Sequence, residues 1–510
     1  MNTAVLILAS GKGTRIQTLS NGLNKALVPI GNKATLSYII EKFPKGSHIF
    51  VTLGYLGDQV RDFCLLAYPD YEFTFIPVPD YEGPGSGPGK SALYAEPYLQ
   101  KPFYLCLCDC IVEEDIDFED TSNWIGVQET RQPEIYSTAL TRSGQVLDFK
   151  NKDVNGYPDA FIGLAHIRSP HIFWKELRRR MVSGELVEVF KGYEALDLKA
   201  KHFTWHDTGN LKSLQETRNS LCIEKNTGEN LYHEGSRCIK YFPSIEKVQD
   251  LYVRGKLLGT RVPENLEVRG NFIAYDWIEG ENLYEVKDFQ KALETLFFVY
   301  DTTQISSVPS SFSLSFYRDK TLERVAKFLG MYGQKYGNWS FSIGGHFYQP
   351  LQKLLELIDW KDVCSKVKPF LGFHGDFQPS NLVLQAENST IKYVDWRDSF
   401  GGFLGGGDLY YELGKFLGGL EVNYDLVKDD SILDFRENGE QITWRGVEPE
   451  DTSDFWKKVK SRNLDTNHIE LIRCLVQLSM CPLHTEKLGK YLWFRSIQNL
   501  EIWAKKVGKL

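Results

Sequence analysis

Five short apolar runs divide the first 220 or so residues of the chain: TAVLILAS, HIFVTLGY, EFTFIPVP, FYLCLCDC and AFIGLAHI. Each is too short for a buried helix and is bounded by turn residues, so each predicts a strand, several of them buried on both faces. Between them, stretches such as ATLSYIIEKF carry helical spacing. Such alternation folds as a three-layer α/β domain, because the crossover helices must cover both faces of the sheet. At 510 residues the chain is too long for one ordinary core, so two or three domains are expected. The polar stretch SLCIEKNTGE, residues 220–229, predicts a short connection. Beyond it NLYHEG and SRCIKYF predict a β-hairpin, and IEKVQDLYVRGKLL predicts a helix. Helical patterns dominate from Lys287, interrupted by the strand-like runs NLVLQ and IKYVDW. The expected division is therefore residues 1–222 and 223–510.

A net charge of −8 speaks against a nucleic-acid partner, which would call for a basic excess. No segment approaches the ~18 uninterrupted apolar residues of a membrane span, and the start, MNTAVLILASGKGTR, lacks the basic region of a secretory signal. Cys106, Cys108 and Cys110 are spaced to share one face of a strand, where cysteine packs as a small hydrophobe. Scattered cysteines fit a reducing compartment, and a cytoplasmic location is the expectation.

Two glycine-rich stretches invite a phosphate reading. EGPGSGPGKSALY, Glu82 to Tyr94, ends in Gly-Lys-Ser like a Walker loop. Counting back from Gly89, however, puts Pro84 at the first glycine position, and proline has no N–H for a phosphate cradle. LASGKGTRI, Leu8 to Ile16, follows the first strand directly, and Ile16 stands where a dinucleotide fingerprint needs its third glycine. What it offers is Gly11 and Gly13 for close backbone approach to phosphates and Arg15 as a bidentate donor, with Lys25 ten residues on in NKALVPIG. That set suits a triphosphate that must lose pyrophosphate.

The sequence L-A-x-G-x-G-T-R, including Thr14 and followed by a lysine and V-P-I-G, resembles the sugar-phosphate nucleotidyltransferase family, with Ser10 and Asn24 departing from its usual L-A-A-G and P-K. The resemblance implies a Rossmann-like three-layer domain that binds a nucleotide through Gly11, Gly13 and Thr14, with Arg15 and Lys25 catalytic. It also implies a Mg²⁺ site from Asp109, in LCDCI, and Asp207, in WHDTGNLKSL, two hard oxygen ligands distant in sequence. Under it the loop Glu82–Tyr94 meets base and ribose. Lys150, in LDFKNK, is the implied contact to the incoming phosphate, although Phe149 replaces the acidic residue expected before it and Lys152 competes.

The second half carries its own chemistry. In FLGFHGDFQPSNLVL, His374, Asp376 and Asn381 are spaced as H-x-D-x-x-x-x-N, the catalytic-loop spacing of kinases. An aspartate there accepts a hydroxyl proton, the asparagine five residues on binds the metal, and Asp395 in IKYVDW fits the Mg²⁺-ligating aspartate. His374 is expected to hold the loop rather than act as a base. With GDLYYELGK following, the pattern resembles the aminoglycoside phosphotransferase and choline kinase family over residues 225–510. That resemblance implies a two-lobed, protein-kinase-like α+β domain with Lys240 holding ATP phosphates, Glu246 as its possible helix partner, Asp408 as a structural aspartate, and a hinge near Trp277 for adenine. The aromatic tail KYLWFRSIQNLEIW has the spacing of core helix.

Together the two halves imply a bifunctional, Mg²⁺-dependent enzyme that uses ATP and a second NTP. One site would phosphorylate a small hydroxyl compound and the other would nucleotidylate the resulting phosphate. Two acceptor classes fit: a sugar, giving an NDP-sugar for cell-surface glycan, or a choline- or ethanolamine-type alcohol, giving a CDP-amino alcohol. Arg397 and Asp398 could contact sugar hydroxyls, whereas Trp396, Tyr410 and Tyr411 could face a cation.

Overall fold

The structure, a computed structural model, describes residues 3–16, 22–83, 85–181, 188–221, 230–427, 431–446 and 448–510. Pro84, the greater part of the polar connection and the 222/223 boundary lie outside the described residues. The chain forms two compact units, Met1–Val248 with Glu267–Trp277, and Gln249–Leu266 with Ile278–Leu510.

In the first unit, the described residues build a nine-stranded sheet in the order Glu72–Pro77, His48–Leu53, Ala4–Leu8, Phe103–Leu107, Asp159–Ile167, Trp124–Glu129, Lys199–His202, Gln145–Asn151 and Ser137–Arg142. The first four run parallel, and Asp159–Ile167 is antiparallel to both its neighbours. All five apolar runs of the sequence are among these strands. Val5 and Ile7 face one buried cluster while Leu6 and Leu8 face another, so the first strand is covered on both sides, as an uninterrupted apolar run requires. The cysteine run is corrected in one respect. The strand stops at Leu107, and Cys110 opens the short strand Cys110–Val112, so the three cysteines do not share one strand. All three are nonetheless buried thiols. The interruption turns the backbone at Asp109.

The hairpin forms at Leu231–Glu234 and Arg237–Tyr241, and Phe272–Asp276 and Glu267–Arg269 extend it to a four-stranded antiparallel sheet. This sheet belongs to the first compact unit, which therefore extends beyond residue 222. The reason is its apolar face. Tyr232, Ile239, Tyr241, Phe272 and Ala274 join the cluster that contains Val5 and Ile7, and the Phe63 ring meets Tyr232 edge-on at 5.0 Å.

The second unit is mainly helical. Its helix Leu409–Glu421 is apolar nearly all round and buried along almost its whole length. Glycines let neighbours come close: a Cβ on Gly414 would stand 2.8 Å from the Ile472 side chain in helix Thr466–Met480, and one on Gly419 would stand 2.6 Å from Pro379. The runs NLVLQ and IKYVDW form the paired strands Leu382–Gln385 and Ile391–Tyr393, so the loop His374–Asn381 leads directly into a hairpin. The aromatic tail is the helix Glu486–Lys506, with Tyr491, Trp493 and Phe494 in the core. No described helix is long and apolar enough to cross a membrane.

Candidate active sites

In the first unit, strand Trp205–Asp207 pairs antiparallel with Cys110–Val112, placing Asp207 opposite Cys110 and so beside Asp109. Gly209 marks the meeting point. A Cβ there would stand 3.0 Å from Asp207 Oδ1, 3.4 Å from Asp109 Oδ2 and 3.7 Å from Arg15 Nη2. Three of the residues singled out in sequence thus converge. Lys25 joins them, its Nζ 3.1 Å from Asp109 Oδ2. Gly13 makes room for Lys25: its φ is +62°, and a Cβ would stand 2.8 Å from Lys25 Cβ. Gly11 lies against the same side chain, 4.0 Å from Lys25 Cε by the same measure, while Thr14 is exposed.

The turn that carries Lys25 is braced from several sides. Asn24 caps it by accepting from Ala26 N at 2.9 Å and donates through Nδ2 to Tyr55 O at 2.7 Å. Tyr232 Oη, from the appended hairpin, donates to Leu27 O at 2.7 Å. Ser10 Oγ lies 2.7 Å from Ser91 Oγ, tying the first glycine turn to the short helix after the second. Both departures from the family pattern are therefore buried polar groups with partners.

Electrostatically the two carboxylates differ. Burial disfavours charge on Asp109, but Lys25 and Arg15 override it and hold the carboxyl below its usual range. Burial, with Asp109 nearby, raises Asp207 above its own, although the Gly209 N–H donates to Oδ1 at 2.8 Å. Tyr136 Oη also donates to Asp207, at 3.2 Å. Two close carboxylates with one partly disfavoured form an oxygen-donor set that fits a small divalent cation. Beside Asp207 opens a cavity of about 410 Å³ lined by Gln128, Arg131, Tyr136, Trp205 and Glu216 among others. Lys150 is engaged elsewhere, its Nζ donating to Asn155 O at 2.7 Å, and Lys152 pairs with Glu188 at 3.3 Å. Tyr136 and Gly209 escaped the sequence reading; only the glycine of WHDTGN hinted at a close approach.

In the second unit the loop His374–Asn381 is held by its own backbone. His374 Nδ1 accepts from Asp376 N at 3.0 Å and its other ring nitrogen lies 2.9 Å from Val394 O; burial keeps the ring neutral, its pKa pushed down to about 4. Asn381 Nδ2 donates to Asp376 O at 3.0 Å. Gly375 sits at φ +83°, where a Cβ would stand 2.5 Å from Arg397 Cβ, so only glycine fits. Asp376 pairs with Lys415 at 2.7 Å; burial opposes its charge, but Lys415 and Arg397 hold the carboxyl below its usual range. Asp395 adopts φ +58°, a left-handed conformation uncommon for a non-glycine residue. Asp408 accepts from Tyr317 Oη at 2.5 Å and from Lys368 N at 2.8 Å. Lys415 was not visible in sequence, since nothing local ties it to Asp376.

Lys240 and Trp277 lie in the first compact unit. Lys240 is buried in the strand Arg237–Tyr241, and the Trp277 ring stacks on His233 at 3.8 Å. Glu246 accepts from Ser244 Oγ at 2.9 Å at the start of helix Ile245–Leu258.

Against known families, residues 5–116 match the MobA-like NTP transferase domain, which makes this N-terminal region a nucleotidyltransferase-type domain. The chain is 26% identical over 153 residues to the bifunctional protein GlmU of Methanocaldococcus jannaschii, covering 29% of this chain and 36% of that protein. It is 28% identical over 248 residues to the low-salt glycan biosynthesis nucleotidyltransferase Agl11 of Haloferax volcanii, covering 43% and 66%. The chain thus spans little more than a third of the length of the GlmU protein it matches. A UDP-glucose pyrophosphorylase complexed with UDP-glucose aligns over 44% of this chain and 99% of its own at 15% identity, with a TM-score of 0.37.

Proposed function

We propose that the chain is a bifunctional enzyme whose first unit transfers a nucleotidyl group from an NTP to a sugar phosphate, and whose second unit makes that phosphate with ATP. The observation that carries the first activity is the convergence of Asp109, Asp207, Arg15 and Lys25 around Gly209. Asp109 and Asp207 would hold Mg²⁺, which when bound neutralises triphosphate charge. Lys25 and Arg15 stand where the α-phosphate gains charge as a phosphate-ester oxygen attacks it and the bond to the leaving pyrophosphate breaks. The cavity beside Asp207 is of a size for the ester. The name of one relative, a glycan biosynthesis nucleotidyltransferase, supports nucleotidyl transfer with a glycan as the destination.

The kinase reading rests on Asp376 within a loop braced by His374 and Asn381, with Asp395 following. An acceptor hydroxyl would attack the γ-phosphorus, its proton passing to Asp376 as the bond to ADP breaks. Asn381 and Asp395 would hold the metal of that site. A sugar is favoured over a choline-type acceptor because all three rings named for a quaternary ammonium, Trp396, Tyr410 and Tyr411, are buried. Trp396 is buried and donates through Nε1 to Leu251 O at 2.8 Å, and Tyr410 is buried with its hydroxyl accepting from Asp465 N at 3.1 Å.

The test is to supply ATP, each of the four NTPs and a panel of sugars, amino alcohols and their phosphates, and to follow pyrophosphate release and products by mass spectrometry. An NDP-sugar formed from the free sugar is expected. Absence of pyrophosphate with every phosphate ester would overturn the nucleotidyl-transfer reading, and absence of ADP with every alcohol would overturn the kinase reading.

A further inference from the structure

The surroundings of Asp376 carry an excess of positive charge that the phosphotransfer reading leaves unexplained. The segment that supplies part of it is irregular. A π turn, Ser315–Asp319, interrupts the helical run before helix Lys320–Tyr332, a distortion that often accompanies functional sites. It brings Lys320 Nζ to 3.4 Å from the centre of the Phe316 ring and 4.9 Å from that of Tyr411. Arg397 approaches the same Phe316 ring at 5.5 Å while its Nε donates to Gly375 O at 3.0 Å. Gly401 closes the assembly: at φ +63°, it lies so near Phe312 O that a Cβ would stand 2.2 Å away.

Charge around this group does not balance. Lys320 feels the repulsion of Arg397, Lys415 and Arg324 and the attraction of Asp376. Lys415 is already paired with Asp376. Among the described residues, Lys320, Arg324 and Arg397 form no salt bridge with any carboxylate, and all three are half-buried. Asp376, Asp398 and Glu412 attract Arg397, although burial pushes the Glu412 carboxyl up to about 8. Unpaired cations withdrawn from water are costly. Burial, with the neighbouring cations, accordingly pushes the Lys320 ammonium well below the usual lysine range. An anion arriving with a ligand would relieve Lys320. A quaternary ammonium would instead meet Lys320 already occupying the faces of Phe316 and Tyr411.

We propose that the second unit accepts a small hydroxyl compound bearing its own carboxylate or phosphate, with Lys320, Arg324 and Arg397 as the anion-binding group beside Asp376. This rests on the kinase reading and narrows its acceptor to a sugar acid, hydroxy acid or phosphorylated alcohol.

The experiment uses the full chain with ATP and matched compounds: glycerol against D-glycerate and glycerol 3-phosphate, glucose against glucuronate, and choline. ADP formation is measured, and binding of each compound without ATP is followed by calorimetry. At least one anionic compound should exceed its neutral counterpart by about tenfold in kcat/KM or in affinity. Glycerate and glucuronate against glycerol 3-phosphate decide between carboxylate and phosphate. Lys320→Met should raise KM for that anion by about tenfold with little change in KM for ATP, and Arg324→Gln serves the same purpose if the first variant folds poorly. Preference for choline or for the neutral partners, or no binding of any anion, would overturn the proposal. So would a Lys320→Met defect confined to KM for ATP, which would assign these cations to the transferred phosphoryl group. ADP formed only with choline would leave the kinase reading intact and remove the anion site. Lys320-dependent anion binding without ADP would do the reverse.

Discussion

Each unit centres on a half-buried aspartate paired with a lysine: Asp109 with Lys25 at 3.1 Å, and Asp376 with Lys415 at 2.7 Å. In both pairs the lysine keeps the carboxyl ionised against burial. What differs is the next layer of charge. Asp109 faces a second carboxylate, Asp207, whose own charge is disfavoured by burial and by Asp109. Asp376 has further cations around it, Arg397 and Lys320, with Asp398 also attracting Arg397. Identical pairs therefore prepare opposite ligands. A second carboxylate beside the first offers oxygen ligands to a cation, whereas further ammonium and guanidinium groups attract an anion.

The strongest way to break this comparison is to remove the charge at Asp376. Asp376→Asn should cost phosphorylation on the order of a thousandfold, within the range for loss of a proton acceptor. Nucleotidyl transfer to a supplied phosphate ester should persist. Collapse of both activities in a folded variant, judged by its melting curve, would show that the two sites are not independent.

The reciprocal change, Asp109→Ala, should reduce pyrophosphate release by a few hundredfold, because one carboxylate alone holds the metal poorly and the triphosphate charge stays unneutralised. ADP production should continue. Undiminished pyrophosphate release would remove Asp109 from the site, and recovery at high Mg²⁺ would sharpen the assignment by showing weakened metal affinity.

A smaller effect is expected at Gly13, which shapes the Lys25 side of the pair. Gly13→Ala must hold a Cβ at φ +62° and 2.8 Å from Lys25 Cβ. Left-handed backbone costs a non-glycine residue about 1 kcal/mol or more. The displaced ammonium should lower nucleotidyl-transfer kcat/KM by roughly tenfold. Phosphorylation should be untouched, and an equal loss in both assays would point to global destabilisation.

How far the sequence disclosed all this follows from the range of the interactions. Strands in the first unit were legible because an apolar run bounded by turns needs no distant partner to declare itself. The hairpin Leu231–Tyr241 was legible for the same reason, but its packing onto the first unit was not, because Tyr232 and Phe272 do not announce which core they enter. The turn residues Gly11, Gly13, Arg15 and Lys25 and the pair Asp109 and Asp207 were found through their order along the chain. Their convergence depends on the pairing of Trp205–Asp207 with Cys110–Val112, which sequence spacing does not encode. Ser10 and Asn24 looked like blemishes in a familiar pattern and prove to be bonded, buried groups. Lys320, Arg324 and Lys415 were passed over because lysine and arginine on a helix ordinarily face solvent. Only the fold brings Lys415 and Lys320 to Asp376, with Arg324 beside Lys320.

The last difference between the units lies beneath the Asp376 loop and gives a pH dependence. Glu412 accepts the backbone N–H groups of His374 and Gly375, the latter at 2.9 Å. Burial nevertheless pushes its carboxyl up to about 8, and the charge on Asp376 adds to the rise. Because the folded-state value lies above the ordinary 4.5, the folded chain holds a proton that the unfolded chain releases. The resulting stability is complete below pH 4.5 and is lost as pH rises through about 8. Between pH 7 and 9 the remaining loss is about 1 kcal/mol, the equivalent of one proton over one pH unit. It should appear as a lower melting temperature and a slower phosphotransfer rate at the upper pH. Glu412→Gln keeps an oxygen for the two N–H groups and cannot ionise, so it should flatten the melting-temperature profile over that interval. A profile unchanged by the substitution would mean that Glu412 is ionised at pH 7. The Asp376 loop would then rest on a second negative charge, and the contrast with the carboxylate pair of the first unit would narrow.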